Sequence, residues 1–506
     1  MTGPTRHSSW CNWPLLGLAV SGVLANFLFY HPTTLIDDAY ISLRYAENIA
    51  RGHGIVWNPG ERIQGASTPL YVLLLAALRW LGLPSDLAAR GIGLLAGIAT
   101  CYLSGLLVRS LAGLAAGAVA ILVLVTHPHL SAAFLSGMET TCVTAVLTGM
   151  LLALHLGQTR QLGYALGVLA LLRLDGVAAV AASGLRFLRD PRSLLRAALQ
   201  VLGLALPWFV FAWIYFGSPL PHSVAAKAVL PVSPTANLEL WWASLFKIPP
   251  GAWVSAPALL GLLLLFLKKR GLALWVLAYA TVYVGGYTIS RVHLWPWYVA
   301  PIHVLSVILA VFGIVGAVRL MQSNAAQRSL LRQAWIPATV AALLVLPQLL
   351  TVERLRWRME EGDTIMRSYF AVADYLNEVA PQGSRIYVGE VGAVGYKLLD
   401  HHVIDSSGIN SPEMVALTAT VAERRNQADR ERLTDDAEIE LQEEAVRCFE
   451  PDWITSRVRY LHLKSLLEKP WFAALYQPVR GKWDDLRCQT TLLKRVSGPK
   501  EESSSR

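Results

Sequence analysis

From Trp13 to Leu350 the chain carries apolar blocks, many of them close to twenty residues long and parted by polar loops. A helix needs about twenty apolar residues to cross roughly 30 Å of hydrocarbon. A composition of 54% hydrophobic and 16% charged residues leaves no room for a soluble fold of ordinary surface. The pattern therefore predicts a polytopic α-helical membrane protein. The expected spans are Trp13 to Tyr30, Leu87 to Val108, Leu111 to Thr126, Thr140 to Leu156, Leu162 to Leu172, Gly176 to Leu188, Leu194 to Phe216, Trp253 to Leu267, Leu272 to Ile289, Tyr298 to Val318 and Ala334 to Leu350. Only Arg6 and His7 are basic ahead of the first, and no small-x-small cleavage pattern follows it, so it reads as an uncleaved signal anchor with a cytoplasmic N-terminus.

Pro69 to Gly82 is too short to cross comfortably and carries Arg79 near its end, so it is expected to lie embedded without crossing. The distribution of basic residues supports this. With the segment excluded, Arg109, Arg160, Arg186, Arg189, Arg192, Arg196, Lys268, Lys269, Arg270, Arg319, Arg328 and Arg332 share the cytoplasmic side with Arg6. Counting it as a span would move all but Arg6 outside. The external loops then hold Asp37 and Asp38, Glu139 of "SGMETT", Arg173 and Asp175 of "LLRLDG", His222 and Lys227 of "GSPLPHSVAAK", and Arg291 and His293 of "RVHLWPWY". The net charge of +9 comes largely from the inner loops and indicates topology, not nucleic-acid binding.

The adjacent carboxylates Asp37 and Asp38 precede an amphipathic stretch, Tyr40 to Ile49, which can lie on the bilayer surface. One reading makes them helix caps. A second adjacent acid adds repulsion and raises one pKa, which points instead to chemistry where lipid head groups meet water. Other groups carry paired readings as well. Arg173 and Asp175 either pair with each other or line a substrate cavity. Lys227 either snorkels to anionic lipid or holds a substrate phosphate. Glu139 either caps a helix or supports the site, and a divalent metal held by Asp37, Asp38, Glu139 and a histidine is chemically allowed though no spacing demands it.

The order "DDAYISLRYAENIARGHG" then "STPLYVLLLAAL", with "SGMETT", "LLRLDG", "FGSPLPHSVAAK", "WPWYVAPIH" and "VGEVGAVGYKLLDHHVIDSSGINSP", resembles the GT-C superfamily of polyprenyl-phosphate-sugar-dependent glycosyltransferases. The bacterial branch that includes the mycobacterial terminal arabinofuranosyltransferases is the most similar. The resemblance implies inverting transfer of a sugar from a polyprenyl-phosphate donor to a glycan or lipid hydroxyl on the extracytoplasmic face of the inner membrane, with Asp37 as general base and Asp38 beside it. A carboxylate base suits such an acceptor, and the leaving phosphate needs a cation more than an acid. Lys227, with Arg173, Arg291, His222 and His293, supplies the candidates, although the family more often has Asn where His222 stands. Two other classes remain in view: a transporter or flippase of lipid-linked sugars, and a noncatalytic glycan-binding relative. Transporters place their charges at mid-membrane in paired repeats, which is not this pattern.

After Leu350 the composition turns soluble, so residues 1–351 and 352–506 are expected to form a membrane domain, whose first external loop spans residues 31–86, and an extracytoplasmic α/β domain. Met366 to Val379 reads as a helix, and "RIYVGE", "GAVGYKLL" and "HHVID" as a strand, a helix and a strand. The glycines of "VGEVGAVG" lack dinucleotide-binding spacing. Cys448 and Cys488 could be bridged in an oxidising compartment.

Overall fold

The computed structural model of the chain describes residues 12–188, 190–230, 232–248, 251–321, 330–425, 433–457, 460–483 and 490–496. Its first helix, α1 (Trp13–Tyr30), starts at Asn12, whose side chain accepts from the Leu15 N–H at 3.1 Å, and stops at His31 with φ of 41°. Next come α2 (Asp37–Ala50), α3 (Pro69–Trp80), α4 (Ser85–Ala112), α5 (Leu114–Thr126), α6 (Pro128–Leu135) and α7 (Thr140–His155). Then follow α8 (Leu162–Leu172), α9 (Val177–Phe187), α10 (Pro191–Phe216), α11 (His222–Ala228), α12 (Pro234–Trp242), α13 (Gly251–Lys268), α14 (Arg270–Ile289), α15 (Pro296–Met321) and α16 (Leu330–Leu349). This is a multi-pass membrane protein: among the described residues six unbroken helices are long and apolar enough to cross, and two bent pairs raise that to eight.

The breaks depart from the expected spans. The expected span Leu111 to Thr126 is matched by α5, but it does not end there: Pro128, which cannot donate a backbone N–H, opens an unexpected second helix bent by 69° from the first, so α5 and α6 form a broken pair. The helices α8 and α9 have 11 residues each and rise about 16 Å apiece, half the hydrocarbon thickness. The 3-10 turn Leu174–Gly176 joins them and sets Arg173 and Asp175 at the break. In α3, Arg79 is not left to lipid: its Nε donates to Glu47 of α2 at 3.0 Å, and Ser85 Oγ donates to the same carboxylate at 2.6 Å.

Beyond Leu350, α17 (Val352–Val379) starts fourteen residues before the expected Met366, continuing from α16 through a 40° bend. It leads into β1 (Arg385–Val388), α18 (Val391–Lys397) and β2 (His402–Asp405), the anticipated β-α-β alternation with parallel strands. Three further strands were not anticipated. With α19 (Pro412–Arg424), α20 (Asp435–Phe449), β3 (Trp453–Arg457), α21 (Leu463–Leu467), α22 (Pro470–Leu475), β4 (Tyr476–Val479) and β5 (Thr490–Arg495), they complete a mixed five-stranded sheet in the order β2-β1-β3-β5-β4. The whole is a GT-C-like helical membrane fold with a small C-terminal α/β unit. Cys448 is exposed and carries no disulfide, while Cys488 lies outside the described residues.

Candidate active site

The helices α2 and α18 lie against each other with matched ends. Asp37 and Arg44 are seven residues apart on α2, about 10 Å along the axis, and the seven residues of α18 span the same length. Asp37 sits at the start of α18, its carboxylate accepting from the Gly392 N–H at 3.0 Å and the Ala393 N–H at 2.8 Å. Arg44 sits at its far end, donating to the carbonyls of Gly395, Leu398 (2.9 Å) and His401 (3.3 Å), to Asn58 Oδ1 at 3.1 Å and to the Trp57 carbonyl at 2.8 Å. An anion thus meets the N-terminus and a cation the C-terminus, as the helix dipole favours. A Cβ on Gly392 would lie 1.8 Å from the Asp37 carbonyl oxygen, and one on Gly395 would lie 2.6 Å from the Trp57 ring. Close approach is therefore the physical need behind Gly392 and Gly395 of "VGEVGAVG".

Neither aspartate caps α2 through its side chain; Asp37 serves a helix that lies more than 350 residues away in sequence. Burial pushes its carboxyl up to about 7, helped by Asp38 and Glu390 and opposed by the two N–H donors. That places it where a general base works near neutral pH. Burial also raises Asp38, with Lys227 lowering it and Asp405 raising it. Asp405 is itself occupied, accepting from the N–H and hydroxyl of Ser407 and from the N–H and amide of Asn410.

A second group assembles around Tyr298. The Lys227 ammonium donates to the Tyr298 hydroxyl at 3.0 Å, and Arg173 lies 4.8 Å from the centroid of the same ring. Arg173 pairs with Asp175, reaches the hydroxyls of Tyr283 and Tyr287 at 3.2 Å each, and faces Glu139 at 3.8 Å. The Tyr287 hydroxyl donates to Asp175 at 2.7 Å. Burial works against the charge of Lys227, but Tyr298 and Asp38 outweigh it and its pKa is raised. Burial likewise raises Glu139 in spite of Arg173 and favours its neutral form. Arg173 Nη1 is buried with no hydrogen-bond partner among the described residues, which leaves a cationic donor for a ligand anion.

The structure thus gathers Asp38, Lys227, Arg173, Asp175 and Glu139, with Asp37 one residue away. It does not draw in the remaining candidates. His222 stands toward Gly408, Glu413 and Asp405 of the C-terminal unit, and burial lowers its pKa. Arg291, with φ of 57°, contacts the Val232 carbonyl at 3.4 Å, and its own carbonyl accepts from the Val232 N–H. The His293 ring packs 4.8 Å from Trp295. Nor do Asp37, Asp38 and Glu139 converge as metal ligands: the first is taken up by α18, and the third faces Arg173. Among the described residues the ligand atoms of Asp435, Glu438 and His462 lie within 4.8 Å of one another, in the C-terminal unit. Tyr283, Tyr287 and Tyr298 are site residues that sequence reasoning missed. Tyr279, Tyr283 and Tyr287 recur every fourth residue on one helix face, a signal that was there to be read.

Comparison with known proteins adds to this geometry. Residues 356–497 match a family described as a domain of unknown function, DUF8728. No curated protein matches the chain. ArnT from Cupriavidus metallidurans, solved with bound undecaprenyl phosphate, is similar in structure with a TM-score of 0.60 and 17% identity, over 97% of this chain and 100% of that one. The Archaeoglobus fulgidus oligosaccharyltransferase, solved with zinc and sulfate, has a TM-score of 0.55 and 12% identity, over 91% of this chain and 71% of its own. A second structure of that enzyme, tethered to an acceptor peptide, has a TM-score of 0.53 and 14% identity, over 94% and 75%. At these identities the likeness is one of fold, shared over both the membrane helices and the C-terminal unit.

Proposed function

We propose that the chain is a membrane glycosyltransferase that moves a sugar from a polyprenyl-phosphate donor to a hydroxyl of a glycan or lipid acceptor. The site faces the extracytoplasmic side of the cytoplasmic membrane, and the anomeric carbon inverts. Residues 1–351 carry the chemistry, and residues 352–506 close over it through α18. The observation that carries this reading is the adjacency of two chemistries: Asp37, raised to about 7, stands one residue from Asp38, whose carboxylate is stabilised by the charge of Lys227 in the Tyr298 cluster. Fold neighbours add support, since ArnT binds undecaprenyl phosphate and the oligosaccharyltransferase was tethered to an acceptor peptide.

In this mechanism the acceptor oxygen attacks the anomeric carbon while the bond from that carbon to the phosphate oxygen breaks. The bonding electrons leave with polyprenyl phosphate, and the acceptor proton passes to an Asp37 carboxylate oxygen. Lys227 and Arg173 offset the charge that grows on the departing phosphate. Asp175, Tyr283 and Tyr287 hold the Arg173 guanidinium in place. A pentosyl donor is the first to test, because the sequence resembles the arabinofuranosyltransferases, with hexosyl donors next.

The test is acceptor-dependent release of polyprenyl phosphate by the purified full chain, assayed with a panel of polyprenyl-phosphate sugars. Asp37→Asn is expected to lower turnover by about two to four orders of magnitude with little change in melting temperature. Release that persists in this variant would remove Asp37 as the base. Passage of intact donor across a bilayer without release would favour the transporter reading.

A further inference from the structure

Asp37 also forms part of the wall of a cavity of about 430 Å³ that includes neither Lys227, Tyr298 nor Arg173. The cavity lies between the loop after α1, the helix α6, the first turns of α15 and the first turns of α17. Its walls are largely apolar, with Leu35, Ile36, Leu135, Val299, Leu355 and Met359 among them. Its charged groups are unevenly satisfied. Asp363 accepts from the N–H and hydroxyl of Thr33 and of Thr34, four bonds in all, and Asp37 is held by α18.

The cations there are exposed to solvent and, among the described residues, unpaired with acids. Arg354 and Arg358, one turn apart on α17, make no hydrogen bond or ion pair with an acidic side chain among the described residues. Two imidazoles border the same space: His303, only 2% exposed, and His129, their rings 5.0 Å apart. The Nε2 atoms of both are buried without a partner. A buried polar atom left without a partner is destabilising, and a ligand in the cavity would relieve it.

We propose that this cavity is the acceptor subsite and that the acceptor is an anionic amphiphile, a lipid carrying a phosphate group. The proposal rests on the glycosyltransferase reading above. The phosphate would sit at Arg354 and Arg358, where α17 emerges from its bend with α16. The hydroxyl-bearing head group would pass His129 and His303 to reach Asp37. Arg358 precedes Asp363 by five residues, roughly 8 Å along the helix, and Asp363 is bound to the loop that leads to Asp37. Both arginines are exposed as well as lining the cavity, so an anionic head group would meet positive charge there that no acidic side chain among the described residues shares, and a neutral one would gain nothing from it.

The experiment counts lipids on the full chain in detergent by native mass spectrometry, with dioleoyl phosphatidic acid as probe and dioleoyl phosphatidylcholine as the control. The wild type is expected to retain two phosphatidic acid molecules, one at each cationic site. The double variant Arg354→Gln, Arg358→Gln should retain one, Lys227→Gln one, and the triple variant none. The conservative pair Arg354→Lys, Arg358→Lys should recover binding, and an unchanged melting temperature in every variant shows that folding is intact. Two molecules retained by the arginine double variant, or equal retention of phosphatidylcholine, would overturn the proposal. Retention of both by Lys227→Gln, with one lost in the arginine variant, would sink the donor site of the previous section and leave this one standing.

Discussion

In the proposed mechanism Asp37 is the residue on which both substrates converge, and its ionisation makes a sharp prediction. The base acts as a carboxylate, so kcat/KM should fall as pH drops through about 7 and level off above it. Stability moves the other way. The carboxyl binds its proton more tightly in the folded chain than at the ordinary value of 3.8, so the protonated group's contribution is complete below about pH 4 and is lost as pH rises through about 7. A pH profile of activity, run beside thermal melts, checks both signs. An acid limb near pH 4 would show that burial does not control this group. Asp38→Asn should lower activity as well, through its tie to Lys227. Full activity in Asp38→Asn would detach the second acid from the mechanism.

The pairing of α2 with α18 sets how well Asp37 is placed, because the two helices meet with almost no side chain between them. Gly392→Ala would put a methyl group 1.8 Å from the Asp37 carbonyl oxygen and 2.9 Å from its carboxylate, contacts that backbone cannot yield cheaply. The expected result is a lower melting temperature and at least a tenfold loss of activity, since α18 must move off the base it holds. Arg44→Ala tests the other end. It would strand the carbonyls of Trp57, Gly395, Leu398 and His401 in the interior, at a cost of about 3 kcal/mol or more. Chemical denaturation measures that cost. Wild-type stability and activity in both variants would mean that α18 docks by some other contact.

Taken whole, the molecule joins a membrane bundle to a C-terminal sheet through contacts made by the loop after α1 and by α2. The first loop touches the C-terminal unit at Asp37, Arg44, Tyr45, Arg51 and Asn58, and Thr33 and Thr34 bind Asp363. If basic loops mark the cytoplasm, Lys269 and Gln382 must lie on opposite sides of the membrane. Reporter fusions at these two positions settle the matter. An external Lys269 would reverse the orientation and remove the extracytoplasmic site.

The membrane nature of the chain, its apolar helices and the β-α-β start of the C-terminal unit were legible in sequence, because each depends on a sum or period over neighbouring residues. Trp13 to Tyr30 matches its helix to the residue, and the amphipathic stretch behind Asp37 lies within α2. The acidic pair was conspicuous for the same reason: two adjacent carboxylates beside an apolar run are a local anomaly. What only the tertiary structure decided lies at long range. That Asp37 is bound by Gly392 and Ala393, that Lys227 and Arg173 share the Tyr298 ring, and that Arg354 and Arg358 border the cavity of Asp37 are facts about residues far apart in the chain. The bend after Thr126 and the early start of α17 were missed likewise, since hydropathy reports whether a segment is apolar and not where packing turns it. Hydrophobic burial acts on every residue of a helix alike and so is written along the sequence. Hydrogen bonds and ion pairs depend on directions and distances that exist only once the chain has closed on itself.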